Sequence, residues 1–156
     1  MSGLAGLVLP LLAAGSLGLL AGALLAEDRL LVPYWRTLPA ETFYALHPTF
    51  GPVLYRFFAP LTLAAPPAAI LAAVQVTLQA GSLAPRALSA IGAAVLTCSL
   101  VAIYLAFFKA ANEAFLRQAV STAELPAALA RWAAWHRARV IVCLAAFGLS
   151  LVTLAA

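Results

Sequence analysis

Residues 3–26 read GLAGLVLPLLAAGSLGLLAGALLA, an apolar run without a single charge. A membrane helix needs about 20 mostly apolar residues to cross about 30 Å of hydrocarbon. This run is long enough, and three others follow it. Residues 57–76 form the second, interrupted by Pro60, Pro66 and Pro67. Residues 87–108 form the third. Residues 140–156 form the fourth, extended upstream by a helix-forming stretch from Leu125. None alternates with the period of two that marks membrane barrel strands. Lipid admits only helices or closed barrels, because every backbone polar group must be satisfied internally. The expected fold is an all-α transmembrane four-helix bundle. It forms a single membrane domain over residues 1–156, with helices near 3–26, 52–79, 86–118 and 126–155. The first run lacks a basic segment ahead of it and exceeds the usual apolar length of a signal peptide. It is expected to stay as the first helix.

Composition agrees. Of 156 residues, 65% are hydrophobic and 9% charged, and the mean hydropathy is +1.05. A typical soluble domain is about a quarter charged. So few charges cannot coat a water-soluble globule, which excludes an ordinary soluble enzyme and a disordered tail. The net charge of +4 comes from nine basic and five acidic residues that form no stripe, so no nucleic-acid partner is expected. The expected partner is the lipid bilayer, and a homo-oligomer or a larger membrane complex fits the same composition. Ala14, Gly18 and Gly22 recur every four residues, a spacing that lets another helix backbone approach closely. An Ala- and Gly-rich helix produces the same pattern by composition alone.

The charges are lopsided. With four crossings, the N-terminus, the turn near residues 81–85 and the C-terminus share one face. Arg86 is the basic side chain there. The other face carries Arg29, Arg36, Arg56, Lys109, Arg117, Arg131, Arg137 and Arg139. The positive-inside rule places that face in the cytoplasm and both termini outside, as expected for a bacterial inner membrane. All five acids, both histidines and all three tryptophans share that cytoplasmic end. The connection over residues 27–56 is rich in aromatics and prolines, among them Trp35, Phe43, Tyr44, Phe50 and Tyr55. It is expected to be a long aromatic loop or an interfacial helix between helices 1 and 2. It can serve as a lid or as an aromatic belt at headgroup depth.

The residues able to carry chemistry cluster at that end. Trp132, His136, Arg139 and Cys143 are spaced i, i+4, i+7, i+11, which puts them on one helical face. Tyr104, Phe108 and Asn112 form an i, i+4, i+8 row on the preceding helix. Helices joined by a short connection are antiparallel neighbours, so Asn112 and His136 are expected at similar depth. Ionisable residues there face the bundle interior and mark functional sites. An Asn beside a His and an Arg can hold a phenolate or carbonyl oxygen, and His can exchange a proton near neutrality. A belt of snorkelling Arg and Trp with a capping Asn fits the same spacing. Two histidines and two cysteines form no close ligand motif. Cys98 and Cys143 are expected to be small buried hydrophobes. No cofactor is predicted; a haem on His47 and His136, or a metal, stays open. The absence of C-x-x-C argues against a thiol–quinone oxidoreductase.

Three pieces together resemble the anthrone-oxygenase-like family of small four-helix membrane proteins. They are the Gly-rich first helix followed by Val32-Pro33-Tyr34-Trp35, the Asn in Lys109-Ala-Ala-Asn112-Glu113, and the W-x3-H-x2-R pattern of Trp132, His136 and Arg139. The sequence departs from the common pattern at Ala110-Ala111, where a Pro-hydrophobic pair is usual. The resemblance implies oxidation of an anthrone-like or phenol-like aromatic substrate by molecular oxygen without a conventional organic cofactor. On this reading His136 is the base, and Asn112 and Arg139 hold the developing oxyanion. Trp132 packs on the ring plane, and Tyr104, Phe108, Trp35 and His47 complete the substrate-binding wall. Two other functions fit the composition: a non-catalytic accessory subunit of a larger membrane complex, and a binding protein for a small hydrophobic molecule.

Overall fold

A computed structural model describes residues 3–81 and 84–155. Helix α1 (Ala5–Ala26) passes through a π-helical turn (Glu27–Leu31) into a short α2 (Val32–Thr37). After a bend at Leu38 and Pro39, α3 (Ala40–Ala80) returns. Helix α4 (Pro85–Ile103) runs through a second π-helical turn (Tyr104–Phe108) into α5 (Lys109–Leu116), and α6 (Leu125–Ala155) closes the bundle. Four helical stretches are therefore long and apolar enough to cross a membrane: Gly6–Thr37, Ala40–Ala80, Pro85–Leu116 and Leu125–Ala155. The protein is an integral membrane four-helix bundle. Helix α1 packs on α3 and α6, and α4 packs on the same two, so the helices close a ring in up-down order.

Of the two forms expected for the connection between the first two spans, a loop or an interfacial helix, the structure has the helical one. It is helical almost throughout, broken only where Leu38 turns extended (ψ 140°) ahead of Pro39. The residue before a proline is pushed out of the helical region, so the break falls where the chain chemistry places it. The second span accordingly starts at Ala40 rather than near residue 52. Helix α3 continues through Pro48, Pro52, Pro60, Pro66 and Pro67. Each proline removes one backbone donor, and packing holds the helix in their place. Phe43 meets Phe115 edge to face, with ring centroids 5.5 Å apart. The Tyr44 hydroxyl donates to the Val120 carbonyl. At about 1.5 Å per residue, 41 residues make a helix of about 60 Å, twice the hydrocarbon thickness. Its first turns pack beside α5.

The turns are built from local signals. Gly81 ends α3 in the left-handed region (φ 62°), where glycine carries no Cβ penalty. The end of α5 closes on Gln118 (φ 53°). Ala119 N–H donates to Ala114 O and Gln118 N–H to Phe115 O, the paired bonds of a Schellman motif. Ser121 starts the next helix: its hydroxyl donates to Glu124 (2.6 Å) and accepts from the Glu124 backbone N–H.

The bundle is narrow at one end and wide at the other. Near the C-terminal end of α3 and the start of α4 the core is made of Ala69, Ala73, Val76, Ala87, Ala90 and Ala94. Such short side chains let α3 and α4 approach closely. The middle holds Leu17, Leu20, Leu24, Leu100, Val140 and Cys143. The far end is aromatic, with Trp35, Phe43, Tyr44, Phe108, Phe115 and Trp132. These large rings hold the same helices apart. Of the small residues on α1, Ala14 is buried. An added Cβ on Gly18 would stand 3.1 Å from the Phe147 ring, whereas one on Gly22 meets nothing within 4 Å. Close approach to α6 thus explains Gly18 and not Gly22.

Candidate functional site

The wide end encloses a cavity of about 630 Å³ between α3, α5, α6 and the two π-helical turns. That volume suits a molecule of drug-like size. Both turns contribute wall residues: Glu27 from the first, Tyr104 and Phe108 from the second. In a π-helical turn the backbone bond reaches five residues, here Val32 N–H to Glu27 O and Lys109 N–H to Tyr104 O. Pro33 withholds a donor from the first turn, which helps to explain its widening. Nothing in the local sequence marks the second. Such turns recur at functional sites because they shift the register of one helical face.

Seven of the eight expected site residues line this cavity. Trp132, Arg139 and Asn112 lie on one side, Tyr104 and Phe108 beside them, and Trp35 and His47 across from α2 and α3. Trp132 is the hub. Its ring meets Trp35 edge to face at 5.9 Å and Phe108 at 5.2 Å. Its indole Nε1–H donates to Asn112 Oδ1 at 2.9 Å. Because indole is a donor only, this bond fixes the amide orientation. In that orientation the Asn112 amide nitrogen has N–H groups to donate, and Oδ1 keeps a second lone pair. On the opposite wall His47 stacks on Phe43 at 5.1 Å.

The eighth residue, His136, is elsewhere. It is completely buried and stands behind Trp132, stacked on it at 5.0 Å with the planes 13° apart. Its Nε2 lies 3.0 Å from the Leu24 carbonyl, and its Nδ1 lies 3.2 Å from Arg139 Nη2. A carbonyl only accepts and a guanidinium only donates. The ring is therefore neutral, with its hydrogen on Nε2, and both nitrogens are engaged. This corrects the expectation of a base facing the substrate: the i+4 spacing puts His136 on the right face, but Trp132 covers it. Neither nitrogen is free to ligate a haem, so the residues present do not fit a haem on His47 and His136. Among the described residues no three His, Cys, Asp or Glu side chains converge as a metal-ligand set. Cys143 is buried as expected, whereas Cys98 is exposed on the outer face of α4.

The group that sequence reading passed over is Glu27. It lines the cavity although its side chain is only 5% exposed. Its Oε2 stands 3.7 Å from Arg139 Nη2 and 3.7 Å from His136 Nε2. At that length neither is a hydrogen bond; the approach to Arg139 is a charge contact, and that to the neutral His136 ring is not. Oε2 has no hydrogen-bond partner among the described residues, and neither has Arg139 Nε. The Arg139 guanidinium lies 4.3 Å from the Phe108 centroid, a cation–π contact that fixes its plane. Asp28, next in sequence, is buried on another side and meets Arg29 and Arg137 at 3.5 and 3.7 Å. An acid inside a membrane span marks a functional site by default. That signal was present in Glu27-Asp28-Arg29, but it resembles an ordinary helix end.

The mouth of the cavity is apolar. Tyr55 and Leu63 on α3 face Leu105 in the second π-helical turn and Leu116 at the end of α5. All four line the cavity and are also exposed on the outer surface of the bundle.

Compared with protein-family models, with curated proteins and with solved structures, the chain matches none.

Proposed function

We propose that the chain is a membrane-embedded oxidoreductase that takes a flat hydrophobic aromatic molecule from the bilayer and oxidises it with molecular oxygen. The observation that carries this reading is the aromatic cavity of about 630 Å³ with a buried carboxylate and guanidinium in its wall. The resemblance of Trp132, His136, Arg139 and Asn112 to the anthrone-oxygenase-like signature supports it. For an anthrone, the methylene carbon loses two hydrogens and gains one oxygen atom from dioxygen. The second oxygen atom leaves with those hydrogens as water, and four electrons pass from carbon to oxygen.

In this reading Trp132, Trp35, Phe108 and Tyr104 clamp the ring system. Asn112 and Arg139 donate to an oxygen that gains negative charge, where preorganised donors in a dry site have most effect. His136 is a positioning residue: it accepts from Arg139 and supports Trp132 from behind. The excess of basic residues at this end supports a site on the cytoplasmic side of a bacterial inner membrane, with both termini outside.

A second reading is a carrier that binds the same molecules without turnover. The closed hydrogen bonding of His136 favours it, because the histidine expected to act as the base has both ring nitrogens engaged. Purification in nanodiscs followed by mass spectrometry of extracted small molecules tests both. A bound aromatic oxidised on exposure to oxygen supports the oxidoreductase. One that is bound and returned unchanged supports the carrier.

A further inference from the structure

A second charged cluster lies at the outer edge of the seam between the first span and α6. Asp28, in the first π-helical turn, points into the protein with its side chain 2% exposed. Arg29 beside it is 72% exposed, and Arg137 on α6 is 63% exposed. Arg29 Nε approaches Asp28 Oδ2 at 3.5 Å, and Arg137 Nε approaches Oδ1 at 3.7 Å. One buried carboxylate thus holds two outward guanidiniums, from two different helices, beside each other. It meets each of them at Nε, which leaves the Nη donors of both for another acceptor. None of the three residues lines the aromatic cavity.

Two guanidiniums against one carboxylate leave one positive charge uncompensated. Arginine matches phosphate oxygens through parallel N–H bonds, and a phosphodiester carries the one negative charge that restores balance. The helices that carry the cluster continue into the hydrocarbon. Ile141 and Leu144, four and seven residues after Arg137, are exposed on α6. A Cβ added to Gly22, seven residues before Arg29, would meet nothing within 4 Å. Acyl chains attached to the phosphate have apolar surface to lie on there, which a soluble phosphate could not use.

We infer that Arg29 and Arg137, aligned by Asp28, are a docking site for the phosphodiester headgroup of an anionic phospholipid, whose chains lie along the seam between α1 and α6. The inference goes beyond the proposed reaction and is independent of what the cavity holds. For attraction of an anion alone Asp28 is counterproductive, because it cancels half of the positive charge. Its place is explained by order. A guanidinium already held in position loses less side-chain freedom when it binds.

The test counts the lipids that stay on the full chain, by native mass spectrometry, after release from nanodiscs holding phosphatidylglycerol and phosphatidylcholine in equal amounts. An enrichment of phosphatidylglycerol of about tenfold is expected from two arginines at a membrane surface. Arg29→Gln with Arg137→Gln is expected to abolish most of it. Arg36→Gln with Arg131→Gln removes the same charge from two other exposed arginines at that end and is expected to keep it. Asp28→Asn separates order from charge: it makes the cluster more positive, yet the enrichment is expected to fall. All of these arginines are exposed, so the two double variants decide the matter even where Asp28→Asn fails to fold. Inorganic phosphate in large excess is expected not to displace the lipid. Equal retention of the two lipids, or equal loss of enrichment in both double variants, overturns the site. A rise in Asp28→Asn overturns the aligning role of Asp28. Displacement by inorganic phosphate overturns the lipid assignment in favour of a soluble anion.

Discussion

His136 Nε2 donates to the Leu24 carbonyl at 3.0 Å and ties the fourth span to the last turn of α1. That bond, deep in the bundle, sets the position of the side chains on either side of it: Trp132 stacks on the ring, and Arg139 donates to its other nitrogen. The wall of the cavity is therefore built from behind.

Replacing His136 by Ala removes this support. A hydrogen bond between membrane helices contributes about 0.6 kcal/mol on average, and truncating a fully buried ring adds a packing loss of a few kcal/mol. A loss of about 2–4 kcal/mol is expected, read as a lower unfolding midpoint in detergent. His136→Gln, which can keep the bond to Leu24, is expected to recover part of it. A His136→Ala protein that is as stable as the parent would contradict the supporting role.

Glu27 and Arg139 depend on each other. Removing one member of a buried pair leaves the other uncompensated, at a cost of about 3–5 kcal/mol. Arg139→Met and Glu27→Gln alone are each expected to destabilise strongly, Arg139→Met more so because it strands a carboxylate. The double variant is expected to be more stable than the sum of the two losses. Additive losses in a double-mutant cycle would show that the 3.7 Å contact carries no coupling.

Asn112 holds Trp132 in place. Asn112→Leu orphans the indole N–H and is expected to cost about 1 kcal/mol, with a shift in tryptophan emission. Asn112→Asp keeps an acceptor oxygen and is expected to restore the emission. An unchanged spectrum in Asn112→Leu would place the indole hydrogen bond elsewhere.

The mouth between α3 and the second π-helical turn leads to the outer surface of the bundle. Leu63 is 69% and Leu105 60% exposed, yet both line the cavity. Leu63→Trp together with Leu105→Trp is expected to slow entry of a naphthol probe from the lipid without changing fold or stability. Entry at the parental rate would mean that ligands arrive by another route.

The four spans, the aromatic polar end and the shared face of Trp132, Arg139 and Cys143 were legible in the sequence. They depend on apolar run length and helical spacing, which are local properties. What was not legible came from tertiary packing. Residues 40–56 carry Pro48 and Pro52 and look like a loop, but Phe43 and Tyr44 pack against Phe115 and Val120 and keep them helical. Glu27 looks like a charge that ends a hydrophobic helix. The π-helical turn shifts the register there and draws it inward, together with Asp28. The spacing of His136 placed it on the correct face, but no spacing reports that Trp132 lies between that ring and the cavity.

The central claim is tested most directly by oxygen uptake. The purified full chain in nanodiscs is given anthrone, and dissolved oxygen is followed alongside the formation of anthraquinone. The account predicts one dioxygen consumed per anthraquinone formed, at a rate well above empty nanodiscs. A rate equal to that of empty nanodiscs would contradict it.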